Sequence, residues 1–169
     1  MERIIVIGCP GSGKSTFSRA LHQITGIPLV HLDMLFWNKD KTTVEKAVFL
    51  ERLEKAMQQS RWIIDGNYAT TMELRMQACD TVIFLDYPTD ICLEGIRQRR
   101  GAVRSDIPWV ETEEDAEFTE FIRNFQAESR PQILALLEKY GQKNIRIFQN
   151  RREANAFLTQ LRTQQEPSV

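Results

Sequence analysis

The sequence has no apolar run long enough to cross a membrane, no cysteine pair at metal-ligand spacing and no excess of either charge. Each absence removes a class of protein. The first apolar stretch, residues 4–7, falls well short of a signal-peptide core, and nothing later reaches spanning length, so a cytoplasmic protein without membrane contact is expected. Cys9, Cys79 and Cys92 are odd in number, which suits a reducing compartment and neither a disulfide framework nor zinc. With 22 Lys and Arg against 23 Asp and Glu, the net charge of -1 gives no global pull on a phosphate backbone, and a nucleic-acid partner is not expected. Repeats, low-complexity tracts and linkers are missing too, so the 169 residues are read as one domain, as monomer or homodimer.

What the chain does have is a series of short apolar segments. IIVI (4–7), PLVHL (28–32), RWIID (61–65), DTVIFLD (80–86) and NIRIF (144–148) are separated by stretches long enough for crossover helices. That alternation predicts an α/β fold around a parallel sheet. Phe17, Ala20, Leu21 and Ile24 mark the first helix, with Gly26 just past its end. Thr42 and Glu45 stand at capping-box spacing ahead of Val48, Leu50, Leu53 and Met57. A helix is expected from Pro88 to about Arg100, and another, capped by Thr112 and Asp115, to carry Phe118, Phe121, Ile122 and Phe125. Pro131 is expected to start or kink a further helical segment. The last helix is placed near 152–162, with residues 163–169 as a flexible tail.

Between the first strand and the first helix lies GCPGSGKS, which matches G-x-x-x-x-G-K-[ST] in the context that motif requires. Gly8, Gly11 and Gly13 let the backbone wrap with its amides inward, and the helix start adds positive potential at the same point. The loop is read as a phosphate cradle. Gly8, Gly11, Ser12, Gly13, Lys14, Ser15 and Thr16 form the nucleotide-binding set, with Lys14 on the β- and γ-phosphates and Ser15 on Mg²⁺. A G-x-G-x-x-G dinucleotide fingerprint is not present. Asn38-Lys39-Asp40 has the wrong spacing and position for guanine recognition, and no Asp-Glu pair ends a strand to activate a hydrolytic water. These exclusions favour a transferase; ATP and Mg²⁺ are expected as its cofactors. Asp33 falls at the end of the second apolar segment and Asp65 at the end of the third, the edge at which ligands gather in open α/β sheets.

The succession GCPGSGKST, HLDMLFW, WIIDGNY, RMQACDTVIFLDYP and RQRRGAVRSD resembles the adenylate-kinase-like P-loop kinases, in particular the small bacterial group labelled topology modulation proteins (FlaR-like). The resemblance runs over nearly the whole chain. It implies a five-stranded parallel sheet ordered 2-3-1-4-5, an acceptor region after strand two and an arginine-bearing lid at about 100–125. It also implies that Asp65 holds Mg²⁺ through water, and that Asp33 contacts Mg²⁺ or accepts the acceptor's proton. Arg99, Arg100 and Arg104 become the lid arginines that neutralise charge on the transferring group. Trp37, Gly66, Asn67 and Tyr68 are expected to line the acceptor pocket. Arg75 is placed either on an acceptor phosphate or carboxylate or on a solvated helix face.

Several positions keep two readings. Gly95 stands where those kinases usually carry an arginine, so either a phosphate contact is lost or Arg97 replaces it. His31 is read as a packed side chain that shares a side with Asp33, and Cys9 as a small tolerated residue. Arg123 and Arg130 suit either lid contacts or a solvated face, and the acidic stretch from Glu111 to Glu120 reads as the exposed side of a helix. QNRRE falls where related enzymes place a loop beside adenine. Two functions are thereby expected: phosphoryl transfer to an unidentified small molecule or nucleotide, or, alternatively, nucleotide-dependent regulation of DNA topology.

Overall fold

The computed structural model describes residues 1–165. Five parallel strands form one sheet: β1 (Arg3–Gly8), β2 (Leu29–His31), β3 (Trp62–Asp65), β4 (Thr81–Leu85) and β5 (Asn144–Phe148), in the order 2-3-1-4-5. The order is the expected one. Ile4, Ile5, Val6 and Ile7 are fully buried between helical layers, as a continuous β-branched run on a central strand must be. The register sets Val6 beside Asp65 and His31 beside Asp65, so the carboxyl ends of β1, β2 and β3 finish together.

Among the described residues seven helices connect and cover the sheet: α1 (Lys14–Thr25), α2 (Leu32–Phe36), α3 (Lys46–Met57), α4 (Ala69–Ala78), α5 (Thr89–Arg99), α6 (Ala116–Lys139) and α7 (Arg151–Gln165). Helices α1 and α7 pack against each other, while α3 meets α4 and α5 meets α6. No described helix is long and apolar enough to cross a membrane.

Three helical expectations need correction. Helix α3 begins at Lys46, because Thr42 is held in a turn by the Asp40 carboxylate, through its amide at 3.0 Å and its hydroxyl at 2.6 Å. Its capping box does not form. Pro131 does not start a helix; it lies inside α6, which is 24 residues long. Ile122, Phe125, Ile133 and Leu137 lie buried at helical spacing on both sides of the proline, and that continuous packed face outweighs one missing backbone donor. Of the expected pair Thr112 and Asp115, Asp115 makes the cap, accepting from the Phe118 amide at 2.9 Å. The last helix extends to Gln165, and residues 166–169 of the expected tail lie outside the described residues.

Candidate active site

Strand β1 ends at Gly8 and the chain turns through residues 9–13 into α1. Gly11 holds φ +84, and a Cβ there would stand 2.0 Å from the Cys92 carbonyl oxygen of α5. Only glycine lets helix and loop approach so closely. Gly95 is the matching surface: a Cβ on it would meet the Gly11 oxygen at 2.1 Å. No arginine fits at position 95, and Arg97 does not replace one, since it points to solvent beside Glu94. Lys14 is folded over the loop, its Nζ donating to the carbonyls of Gly8 at 2.9 Å and Cys9 at 3.2 Å. Burial pulls its ammonium pKa down, against the opposing pull of Asp65 and Asp33.

Asn67 clamps the loop. Its side-chain amide donates to the Gly8 oxygen at 2.7 Å and its side-chain oxygen accepts from the Gly8 amide at 3.0 Å. Gly66, Asn67 and Tyr68 border the cleft, and the Asn67 head group is spent on the backbone. Arg75 does not reach the cleft at all. It has no exposed surface and donates upward to the carbonyls of Gly66 at 2.9 Å, Asn67 and Tyr68. Burial lowers its pKa to about 10. Both readings of Arg75 are corrected by this placement: it is the floor under the loop after β3, and neither a ligand contact nor a solvated side chain.

Asp33 sits in the first turn of α2, one residue beyond the point where β2 gives way to helix. Its Oδ1 accepts from the Tyr68 hydroxyl at 2.6 Å. Burial raises its pKa, and the Tyr68 bond and the Lys14 charge only partly offset that rise. Around it stands an aromatic wall: Phe36 meets Trp37 edge-on at 5.2 Å and Tyr68 at 5.0 Å, and Trp37 meets Trp109 at 4.8 Å. Asp65, 4% exposed, gives Oδ1 to the His31 ring nitrogen at 2.9 Å and leaves Oδ2 buried with no partner. His31 is therefore packed, as read from the sequence, but packed onto the carboxylate that matters.

The segment between α5 and α6 supplies the other side of the cleft. Arg99 and Arg104 face inward and share Glu111: Arg99 Nη2 to Oε1 at 3.0 Å, Arg104 Nη1 to Oε2 at 2.6 Å. Glu111 thus precedes the helix and bridges arginines, contrary to its reading as an exposed helix face. Arg100 lies away from the cleft, exposed, 3.8 Å from Glu114. Arg123 pairs with Glu120 on the surface, and Arg130 forks onto Asp86, so neither reaches the site. Asp106, which the sequence reading missed, accepts the Ser15 hydroxyl at 2.5 Å and the Arg104 fork at 3.1 and 2.6 Å. Burial opposes its ionisation, but Arg104 and Ser15 outweigh burial and hold it well below the usual carboxylate range. Its sequence signals were the two-residue interval from Arg104 and its place at the end of RQRRGAVRSD.

The cleft measures about 780 Å³, within the range of small-ligand sites. Loop residues 10–16 form one side, and Asp33, Trp37, Tyr68, Arg99 and Phe118 are among those that form the others. Arg151, from the QNRRE stretch, also borders it. Ser12 Oγ and Asp65 Oδ2 are both buried without partners, as expected of groups that await a polar ligand. Among the described residues no cluster of three or more His, Cys, Asp or Glu forms a metal centre by itself.

No protein-family model and no curated protein matches this sequence. Solved structures do match. Shikimate kinase from Bacteroides thetaiotaomicron is 22% identical over 98% of each chain, with a TM-score of 0.56. Shikimate kinase from Aquifex aeolicus is 16% identical over 97% of this chain and 96% of that one, with a TM-score of 0.52. At such identities the likeness shows the fold alone, the parallel α/β architecture described above.

Proposed function

We propose that this protein is a phosphotransferase that uses ATP and Mg²⁺ to phosphorylate a hydroxyl group on a small, non-phosphorylated acceptor. One observation carries the reading: Lys14 of the loop and the half-buried, Tyr68-held Asp33 border the same cleft, with no arginine among the described residues hydrogen-bonded to Asp33. A nucleoside monophosphate acceptor would need arginines around its phosphate, and Arg75 is spent under the loop. The kinase names of the structural neighbours agree with transfer from a nucleotide.

The residues present fit both groups. Loop amides and Lys14 would hold the phosphates, Ser15 and Asp65 the metal side, Arg99 and Arg104 the transferring phosphoryl group, and Arg151 would border the base. Magnesium supplies charge neutralisation on the phosphate oxygens there. With Oδ1 held by Tyr68, Asp33 keeps Oδ2 for the acceptor. Oδ2 takes the hydroxyl proton as the acceptor oxygen bonds to the γ-phosphorus, and the bond from that phosphorus to the bridging oxygen breaks to release ADP. Burial, by raising Asp33's pKa, makes it a better base than a solvated carboxylate. The aromatic wall of Phe36, Trp37 and Trp109 excludes water and offers an apolar face to the acceptor's carbon frame.

The DNA-topology reading has little to stand on, because Arg99, Arg100 and Arg104 are each beside a carboxylate and form no free basic patch. The test of the proposal is Asp33→Asn. Turnover should fall roughly 10²–10⁴-fold while ATP affinity stays near wild type. An unchanged rate removes Asp33 from the chemistry and the hydroxyl route with it.

A further inference from the structure

Asp106 is 3% exposed and hydrogen-bonded to Ser15 of the loop, yet the reaction described above does not use it. We propose that Asp106 is a positioning residue for the metal side of the site: it fixes the Ser15 hydroxyl for Mg²⁺ and couples it to the arginines between α5 and α6. The inference rests on the phosphotransferase reading.

A serine hydroxyl has one proton and two lone pairs. In this structure the proton is committed to Asp106 Oδ2 at 2.5 Å, so the lone pairs are left for a cation. The acceptor that fixes the proton is itself rigid, because Arg104 grips both its oxygens, Nε to Oδ1 at 3.1 Å and Nη2 to Oδ2 at 2.6 Å. Asp65 does not take this task in this structure: its Oδ1 is turned to His31 and its Oδ2 makes no bond to Ser15. The orienting carboxylate is instead brought 91 residues along the chain, from the arginine segment.

The consequence is a continuous polar chain. It runs from Ser15 to Asp106, from Asp106 to Arg104, from Arg104 to Glu111 and from Glu111 to Arg99. A hydroxyl oriented this way is also the better ligand, because a carboxylate on its proton raises the basicity of its oxygen. The order of the arginine segment and the readiness of the metal site are then one property, set by one carboxylate.

The test measures ATP affinity by calorimetry with excess Mg²⁺ and with EDTA, for the wild type, Asp106→Asn, Ser15→Ala and the double variant. The quantity of interest is the metal gain, the ratio of the two affinities. Asp106→Asn should lower that gain about tenfold or more, with affinity in EDTA little changed. In the Ser15→Ala background the same change should have no further effect, because its route through the hydroxyl is gone. An unchanged or larger gain in Asp106→Asn overturns the proposal, the larger gain meaning that the carboxylate blocks the metal rather than serving it. Equal losses in both backgrounds overturn it too. Should Asp106→Asn fail to fold, Asp106→Ser removes the same carboxylate and carries the same cycle. Wild-type protein that binds no ATP with Mg²⁺ would fell the phosphotransferase reading as well; normal wild-type binding with an additive cycle fells this inference alone.

Discussion

The two sides of the cleft are built in different ways. On the side of residues 8–16, function lies in the backbone: glycines with positive φ, amides at a helix start, and one lysine folded over them. On the side of Asp33, Tyr68, Arg104 and Asp106, it lies in side chains that meet from distant positions, 35 residues apart for Tyr68 and Asp33 and 91 for Ser15 and Asp106. The first kind of site is written in one short stretch of sequence. The second exists only after folding.

That contrast predicts where substitutions strike. Lys14→Ala should remove most turnover, about 10²–10³-fold or more for a lost charge on the phosphates, while circular dichroism shows an intact fold. Full activity in that variant would break the loop's side of the comparison outright. Gly11→Ala attacks the same side through packing: its methyl would meet the Cys92 carbonyl at 2.0 Å and needs a positive φ, so stability should fall by roughly 1–3 kcal/mol in urea titration. Arg75→Leu should cost about 1–3 kcal/mol, since the carbonyls of Gly66, Asn67 and Tyr68 lose their donor, with a matching drop in midpoint.

Asp33→Asn should behave in the opposite sense on stability. The native pKa of Asp33 is raised by burial, so its ionised form is strained at neutral pH, and the amide should leave Tm unchanged or higher. Sign follows from linkage: the native state holds the proton more tightly, so Asp33's penalty is absent at low pH and appears as pH rises through its raised pKa. The Tm difference between variant and wild type should therefore shrink as pH falls toward about 4. A variant that melts lower at pH 7 would show that Asp33 is a structural group. Arg97→Ala, at an exposed pair with Glu94, should change neither turnover nor Tm measurably, which separates it from Arg104.

Much of the fold could be read from the sequence. Five apolar segments and the glycine-rich loop predicted the α/β class, and the resemblance supplied the strand order that the sheet has. Helix boundaries were less legible wherever tertiary contacts outvoted local signals, as at Pro131, held inside a helix by its buried face, and at Thr42, drawn into a turn by Asp40. In the site, spacing pointed to the loop and to the strand-end aspartates. It could not tell that Arg75 would turn under its loop or that Glu111 would bridge Arg99 and Arg104. Asp106, although it ends the RQRRGAVRSD stretch, received no role for the same reason: one aspartate in an irregular segment carries no periodicity.

The measurement that bears most directly on the whole account is ADP release from ATP and Mg²⁺ against matched acceptors. The panel pairs nucleosides, sugars and hydroxy acids with their monophosphates, and Lys14→Ala serves as the blank. The account predicts turnover stimulated by a non-phosphorylated hydroxyl compound and lost in the blank. Stimulation by nucleoside monophosphates instead, or turnover that survives in Lys14→Ala, would contradict it.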